Sequence, residues 1–271
     1  MTSYLHHQTA AVVWLIVIAL GGCTMPLDWP GSSNQASFDG ETLNKVATAA
    51  EENGSYTTAI DILRKGVAAH PGDVALQTEL GNALYMSGNS EEAIKSFRSA
   101  IALAPNRPDA HVLLGRVYLV QHKPDQALAE FDAVLQGDPR QLKALNGKGI
   151  ALDLLNRSRE AQACYRTALT IAPDDRAARN NLGLSLAMSG AFDEAIKILS
   201  QLVAEPGATP RMRQNLSLAL GLKGDRTAAE RYARIDLDQT ATTANLKYFD
   251  SVRGLATTAA VAPTVQTPDK R

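Results

Sequence analysis

Residues 74–107 read VALQTELGNALYMSGNSEEAIKSFRSAIALAPNR, and this stretch decides the fold. Its fixed points are Leu80-Gly81, Leu84, Gly88, Ala93, Phe97, Ala100 and Pro105, a pattern that predicts two helices joined by a turn at Gly88 and closed by Pro105. None of these points is solitary. Ala59, Ala93, Ala127, Ala161, Ala195 and Ala229 follow one another at intervals of 34 without exception. Gly81, Gly115, Gly149 and Gly183 keep the same step, as do Pro71, Pro105, Pro139 and Pro173. A fixed period of this length is the mark of a stacked-repeat architecture. Units starting at Gly40, Val74, Pro108, Leu142, Arg176 and Pro210 align six copies without a gap, over 40–73, 74–107, 108–141, 142–175, 176–209 and 210–243.

Each column has a physical cause. Two helices approach closely only where small side chains meet, which Gly81 with Ala93 and their equivalents supply. The inter-helix turn needs a positive φ, and Gly54, Gly88, His122, Asn156, Gly190 and Gly224 occupy it, with His122 the strained exception. The closing proline lacks an amide proton and restricts its predecessor, so it ends the second helix. One helix pair cannot bury its apolar stripe, so units must stack. Ala47 in place of the first glycine, and Ser217 without a closing proline in the last unit, mark the ends of the stack. Residues 244–255 (ANLKYFDSVRGL) read as a capping helix, with Leu246, Phe249 and Val252 covering the open end. The Thr-, Ala-, Val- and Pro-rich residues 256–271 read as a disordered tail.

The Leu-Gly, Leu or Tyr, Ala, Phe or Tyr, Ala, Pro succession resembles the tetratricopeptide repeat (TPR). The third unit repeats it as Leu114-Gly115, Tyr118, Ala127, Phe131 and Pro139, and the fourth as Gly149, Leu152, Ala161, Tyr165, Ala168 and Pro173. The resemblance implies an all-α, right-handed TPR solenoid of six helix-turn-helix units plus a capping helix. It also implies a concave groove lined by positions 2, 5, 9 and 12 of the first helices, with position 6 nearby. Those columns hold Asn146 and Asn180 at position 5, Asn181 and Asn215 at position 6, and Asn82 and Arg116 at position 9. An asparagine amide offers a donor and an acceptor, the needs of an extended peptide backbone, although exposed helix surface also tolerates asparagine. The Lys and Asn four apart used by the carboxylate-clamp subtype are absent: Thr78 pairs with Asn82, and Asn44 with Thr48.

The composition agrees with stacked helices. Among 271 residues there are 43 alanines and few aromatics (5%). With 27 basic and 28 acidic residues the net charge is -1, which lacks the field that gathers nucleic acid. No HExxH, CxxC, GxSxG or P-loop occurs, and Gly147-Lys148-Gly149 falls inside a helix as repeat geometry. His70, His111 and His122 hold unrelated positions in different units and read as solvated or turn residues, not metal ligands. Cys164 reads as a small residue in or near the core, not a reactive thiol. Glu51-Glu52, Glu91-Glu92 and Asp174-Asp175 lie near helix ends, where solvation and the helix dipole account for them. No enzymatic role, cofactor or small-molecule substrate is expected.

The first 22 residues read as a signal peptide. Residues 10–20 (AAVVWLIVIAL) are apolar but too short for a membrane span, which takes roughly 20 residues. Leu20-Gly21-Gly22-Cys23 resembles the bacterial lipobox, which implies cleavage before Cys23, its lipidation, and anchoring at the outer membrane of a Gram-negative cell, facing the periplasm. An ordinary cleaved signal or an uncleaved anchor is the alternative. From 23 to 39 the chain has the Pro, Gly and Ser content of a flexible linker.

Residues 213–225 (RQNLSLALGLKGD), with Ala229-Glu230, residues 233–237 (ARIDL) and residues 244–249 (ANLKYF), resemble the C-terminal signature of the tight-adherence (TadD-type) Flp pilus assembly lipoproteins. That family implies an outer-membrane-anchored TPR scaffold acting as a pilotin-like partner of the secretin or another pilus component. Two alternatives remain open at this point: a periplasmic adaptor that docks cell-wall hydrolases or proteases, and export of another cargo by similar machinery.

Overall fold

The computed structural model describes residues 39–261, with side chains through 253. The signal peptide, Cys23, the linker up to Phe38 and residues 262–271 lie outside the described residues. Thirteen α-helices fill the described chain, with no strand among them. They run α1 (Gly40–Glu52), α2 (Tyr56–Ala69), α3 (Val74–Met86), α4 (Ser90–Leu103), α5 (Pro108–Val120), α6 (Pro124–Gly137), α7 (Leu142–Leu154), α8 (Ser158–Ile171), α9 (Arg176–Met188), α10 (Phe192–Ala204), α11 (Pro210–Lys223), α12 (Arg226–Ala233) and α13 (Gln239–Val261). Odd-numbered helices up to α11 are the first helices of six units, and each even-numbered helix packs antiparallel on its predecessor. The architecture is an all-α solenoid of helix hairpins.

Helix starts repeat with the units. Asp39, Asp73, Gln141, Asp175 and Thr209 stand before α1, α3, α7, α9 and α11, and each side chain accepts from an otherwise unbonded amide of the first turn. Before α5 stands Arg107, and Pro108 occupies the first turn instead. The hairpin turns all have positive φ: Gly54 at 74°, Gly88 at 89°, His122 at 55°, Asn156 at 59°, Gly190 at 87° and Gly224 at 105°.

Inside each hairpin the column glycine makes room for a ring or leucine from the second helix. A β-carbon on Gly81 would stand 2.6 Å from Phe97, on Gly115 2.7 Å from Phe131, on Gly149 2.4 Å from Tyr165 and on Gly183 2.5 Å from Leu199. The nearest neighbour of each column glycine is thus the residue at position 24 of the unit, a contact that the sequence columns do not name. The alanines of position 20 are fully buried. In the last unit Ser217 replaces the glycine, and its hydroxyl donates to the Ala229 carbonyl at 2.8 Å in a site with no solvent exposure.

The C-terminal end differs from the expected outline. α12 has eight residues and α13 begins at Gln239, inside the expected sixth unit, and continues through residues 256–261, which were expected in a disordered tail. Asp238 starts α13 by accepting from the Ala241 amide at 2.8 Å, and no glycine or proline interrupts residues 255–262. Leu246 and Phe249 of α13 are buried and Val252 partly so, closing the apolar end of α11. The Phe249 ring occupies the space above Gly221, where a β-carbon would be 2.3 Å away.

Candidate functional site

Curvature decides where a site can form. The first helices of neighbouring units touch along the whole array, α1 with α3 through to α11 with α13, while the backbones of neighbouring second helices stand apart. The stack therefore bends toward its first helices, which line the inner face.

On that face a groove of about 560 Å³ crosses α5, α7, α9 and the start of α11. Its floor is apolar: Val112 and Leu119 of α5, Leu142 and Ile150 of α7, and Met212 of α11. Its polar groups are Arg116, Asn146, Asn180 and Asn181, all named from the sequence, together with Lys143, Asp175, Thr209 and Arg211. Asn82 of α3 lies outside the groove. So does Asn215, although it reaches it indirectly.

The asparagines do different things. Asn180 is buried, its Oδ1 accepts from Asn215 Nδ2 at 2.9 Å, and its own amide donates to Asn181 Oδ1 at 3.3 Å. Its acceptor is thus engaged in tying α9 to α11. Asn146, at the same position one unit earlier, has a buried Oδ1 with no donor among the described residues. The same holds for Asn44 Oδ1 and Gln214 Oε1, so three of the four amides at position 5 carry an acceptor that no described residue meets. Buried polar atoms are nearly always paired, and Asn146 is the one of the three that faces the groove.

Lys143 and Arg211 were missed in the sequence reading, although both stand at position 2, already a lining position. The signal was the residue type in that column. A second missed feature is a row of half-exposed apolar residues at position 13: Met86, Val120, Leu154 and Met188, again 34 apart. In the last unit the equivalent Leu222 is buried in the cluster with Leu246 and Phe249.

Beside the groove, Asp153 of α7 accepts from Ser185 Oγ at 2.7 Å and from the Tyr165 hydroxyl at 3.0 Å, joining two adjacent units. Burial pushes its carboxyl above the usual range, against the pull of those hydrogen bonds. Burial and the adjacent Asp153 carboxylate likewise push the Tyr165 hydroxyl up, and burial raises the Cys164 thiol. A thiol so shifted is a poor nucleophile. His111 rests between Glu130 Oε2 at 2.7 Å and the Pro105 carbonyl at 3.0 Å, as a tie between units. Among the described residues no cluster of His, Cys, Asp and Glu could hold a metal ion, and no helix is long and apolar enough to cross a membrane. The groove offers amides, cations and an apolar floor, the chemistry of holding an extended chain.

The fold and groove define a helical-repeat scaffold that mediates protein–protein interaction. The chain belongs to the tetratricopeptide repeat family: models of that repeat match residues 45–108, 87–149 and 155–210. The human protein O-mannosyl-transferase TMTC1 is 26% identical over 182 residues, covering 66% of this chain and 21% of that protein. The type IV pilus assembly protein PilF of Pseudomonas aeruginosa is 32% identical over 108 residues, covering 39% of this chain and 43% of its own. The chain thus spans less than half the length of either relative. A tetratricopeptide repeat protein from Parabacteroides merdae, solved as a crystal structure, superposes with a TM-score of 0.65 at 20% identity over 81% of this chain and 87% of its own, a likeness of fold.

Proposed function

We propose that this chain is a lipid-tethered scaffold for assembly of a Flp/Tad-type pilus secretion machine, acting as a pilotin-like partner that holds an extended segment of the secretin. The observation that carries capture is the groove over α5, α7, α9 and α11, with the unmet Asn146 acceptor above an apolar floor. Ordering a flexible segment costs about 1–2 kcal/mol per residue, which a groove spanning four units can offset through repeated contacts. The pilus assignment is supported by the residues at 213–249 and by the likeness to PilF. The tether is supported by Leu20-Gly21-Gly22-Cys23, which would hold the solenoid at the periplasmic face of the outer membrane.

The test is co-purification of secretin from crosslinked envelopes with the parent chain, with Asn146→Ala/Asn181→Ala, and with Cys23→Ser. The parent retains secretin, the groove variant loses it while keeping its helical circular dichroism, and the Cys23 variant leaves the membrane fraction. Secretin retained in full by the groove variant moves the site off the inner face, and its absence from the parent's crosslinks removes the pilus reading.

A further inference from the structure

Three cations point into the groove: Arg116 from α5, Lys143 from α7 and Arg211 from α11. None has an ion-pair or hydrogen-bond partner among the described residues. Other cations on α7, α9 and α11 face away from the groove and meet carboxylates. Lys148 of α7 pairs with Asp132 at 2.6 Å, Arg179 of α9 forks onto Glu205, and Arg213 of α11 forks onto Asp236. The three cations that line the groove thus have no carboxylate of their own among the described residues, while Lys148, Arg179 and Arg213 of the same helices do.

The one carboxylate among the described residues that line the groove is already engaged. Asp175 Oδ1 accepts from the Ala178 amide at 2.8 Å, capping α9, so its charge is held at a helix N-terminus. Asp153, the next nearest acid on α7, does not line the groove and is taken by Ser185 and Tyr165. The lining residues therefore carry three positive charges against one committed negative, in a protein whose net charge is -1.

We infer that the groove selects an acidic extended peptide, whose carboxylates meet Arg116, Lys143 and Arg211, whose backbone N–H reaches Asn146 Oδ1, and whose apolar side chains rest on Leu119, Ile150 and Met212. This rests on the peptide-capture reading above and adds the charge of the ligand. An inorganic anion or a sulfated polysaccharide would satisfy the cations but has no use for the apolar floor. Opposed charge across such a contact speeds encounter and rejects basic segments, and its strength falls with salt.

The experiment is selection from a random 12-residue peptide library on the immobilised full-length chain and on Arg116→Ala/Lys143→Ala/Arg211→Ala. All three side chains are exposed, so the variant keeps its fold. Peptides selected by the parent are enriched in Asp and Glu and depleted in Lys and Arg. The best of them binds the triple variant at least tenfold more weakly, and rising salt weakens its binding to the parent. Peptides that bind without acid enrichment, or that the triple variant selects equally, overturn the acidic preference and leave peptide capture standing. Failure to select any peptide removes capture and this inference together. Displacement of the best peptide by heparin at equal potency makes the groove a general polyanion site, which also overturns the proposal.

Discussion

A β-carbon on Gly147 of α7 would stand 2.3 Å from the Phe131 ring of α6, which carries no solvent exposure. Gly115 of α5 presses on the same ring, with 2.7 Å for the equivalent atom. The ring is clasped between the first helices of two successive units, and Gly147 also forms part of the groove wall. One ring thus links the packing of the third unit on the fourth to the wall of the groove.

Gly147→Ala therefore overpacks a closed site, at a cost of about 1–3 kcal/mol, against a gain of about 1 kcal/mol in helix propensity. The expected outcome is a lowered thermal midpoint. Gly137→Ala, at the end of α6 with nothing near the added atom, should hold or raise the midpoint. A Gly147→Ala protein as stable as Gly137→Ala would mean that the ring moves freely and that the clasp is not a constraint.

His122 holds a left-handed turn at φ 55°, where four of the other five turns use glycine. The L side chain costs roughly 1–2 kcal/mol there, partly offset by the greater freedom of glycine in the unfolded chain. His122→Gly should stabilise by about 0.5–1 kcal/mol in denaturant titration. Asn156→Gly should give less, because asparagine tolerates this region better. Destabilisation by His122→Gly would show that the imidazole contributes a contact of its own.

Asp153 is pushed up by burial, so its folded-state carboxyl ionises at higher pH than in the unfolded chain. The sign follows: the group subtracts stability above its folded-state value, and this penalty is relieved as pH falls through that value toward the unfolded one. Asp153→Asn, which can still bond Ser185 and Tyr165, should be more stable than the parent at pH 7, with the difference closing at acid pH. Asp153→Leu leaves two hydroxyls without an acceptor and should cost about 1–3 kcal/mol for each. Melting curves at pH 7 and pH 3 for the three proteins decide this, and a parent more stable than Asp153→Asn at pH 7 would contradict it.

Asn146 and Asn180 occupy the same repeat position with opposite roles. Asn180→Ala breaks the bond from Asn215 and should destabilise by about 1–2 kcal/mol. Asn146→Ala removes an acceptor that no described residue satisfies, so stability should stay within about 0.5 kcal/mol of the parent or rise slightly. Binding of a groove-selected peptide should fall for both. Urea titration beside fluorescence anisotropy separates the two effects, and a large stability loss in Asn146→Ala would make that residue structural.

The repeat was legible because its residues answer to local and nearest-neighbour constraints. Glycine at the turns, proline at the closes, alanine and an aromatic at the crossings each satisfy a condition that recurs every 34 residues. The groove was half legible for the same reason: position within the unit names the face. The period could not separate Asn180 from Asn146, because what each amide meets depends on the neighbouring unit. Nor could it show that, among the described residues, Lys148, Arg179 and Arg213 find carboxylates while Arg116, Lys143 and Arg211 do not. The C-terminal outline was off for a related reason, since an unrepeated segment has no column to be read against.

The sequence by itself determined six stacked hairpins and the residues at every turn, and its likeness to the tetratricopeptide repeat named the positions that would line a groove. Tertiary structure alone decided which side chains on that face are occupied and which remain available. The reason is physical. Helix formation and hairpin closure depend on spacing along one unit, whereas the pairing of a charge or an amide depends on atoms brought together across units only after the stack has formed.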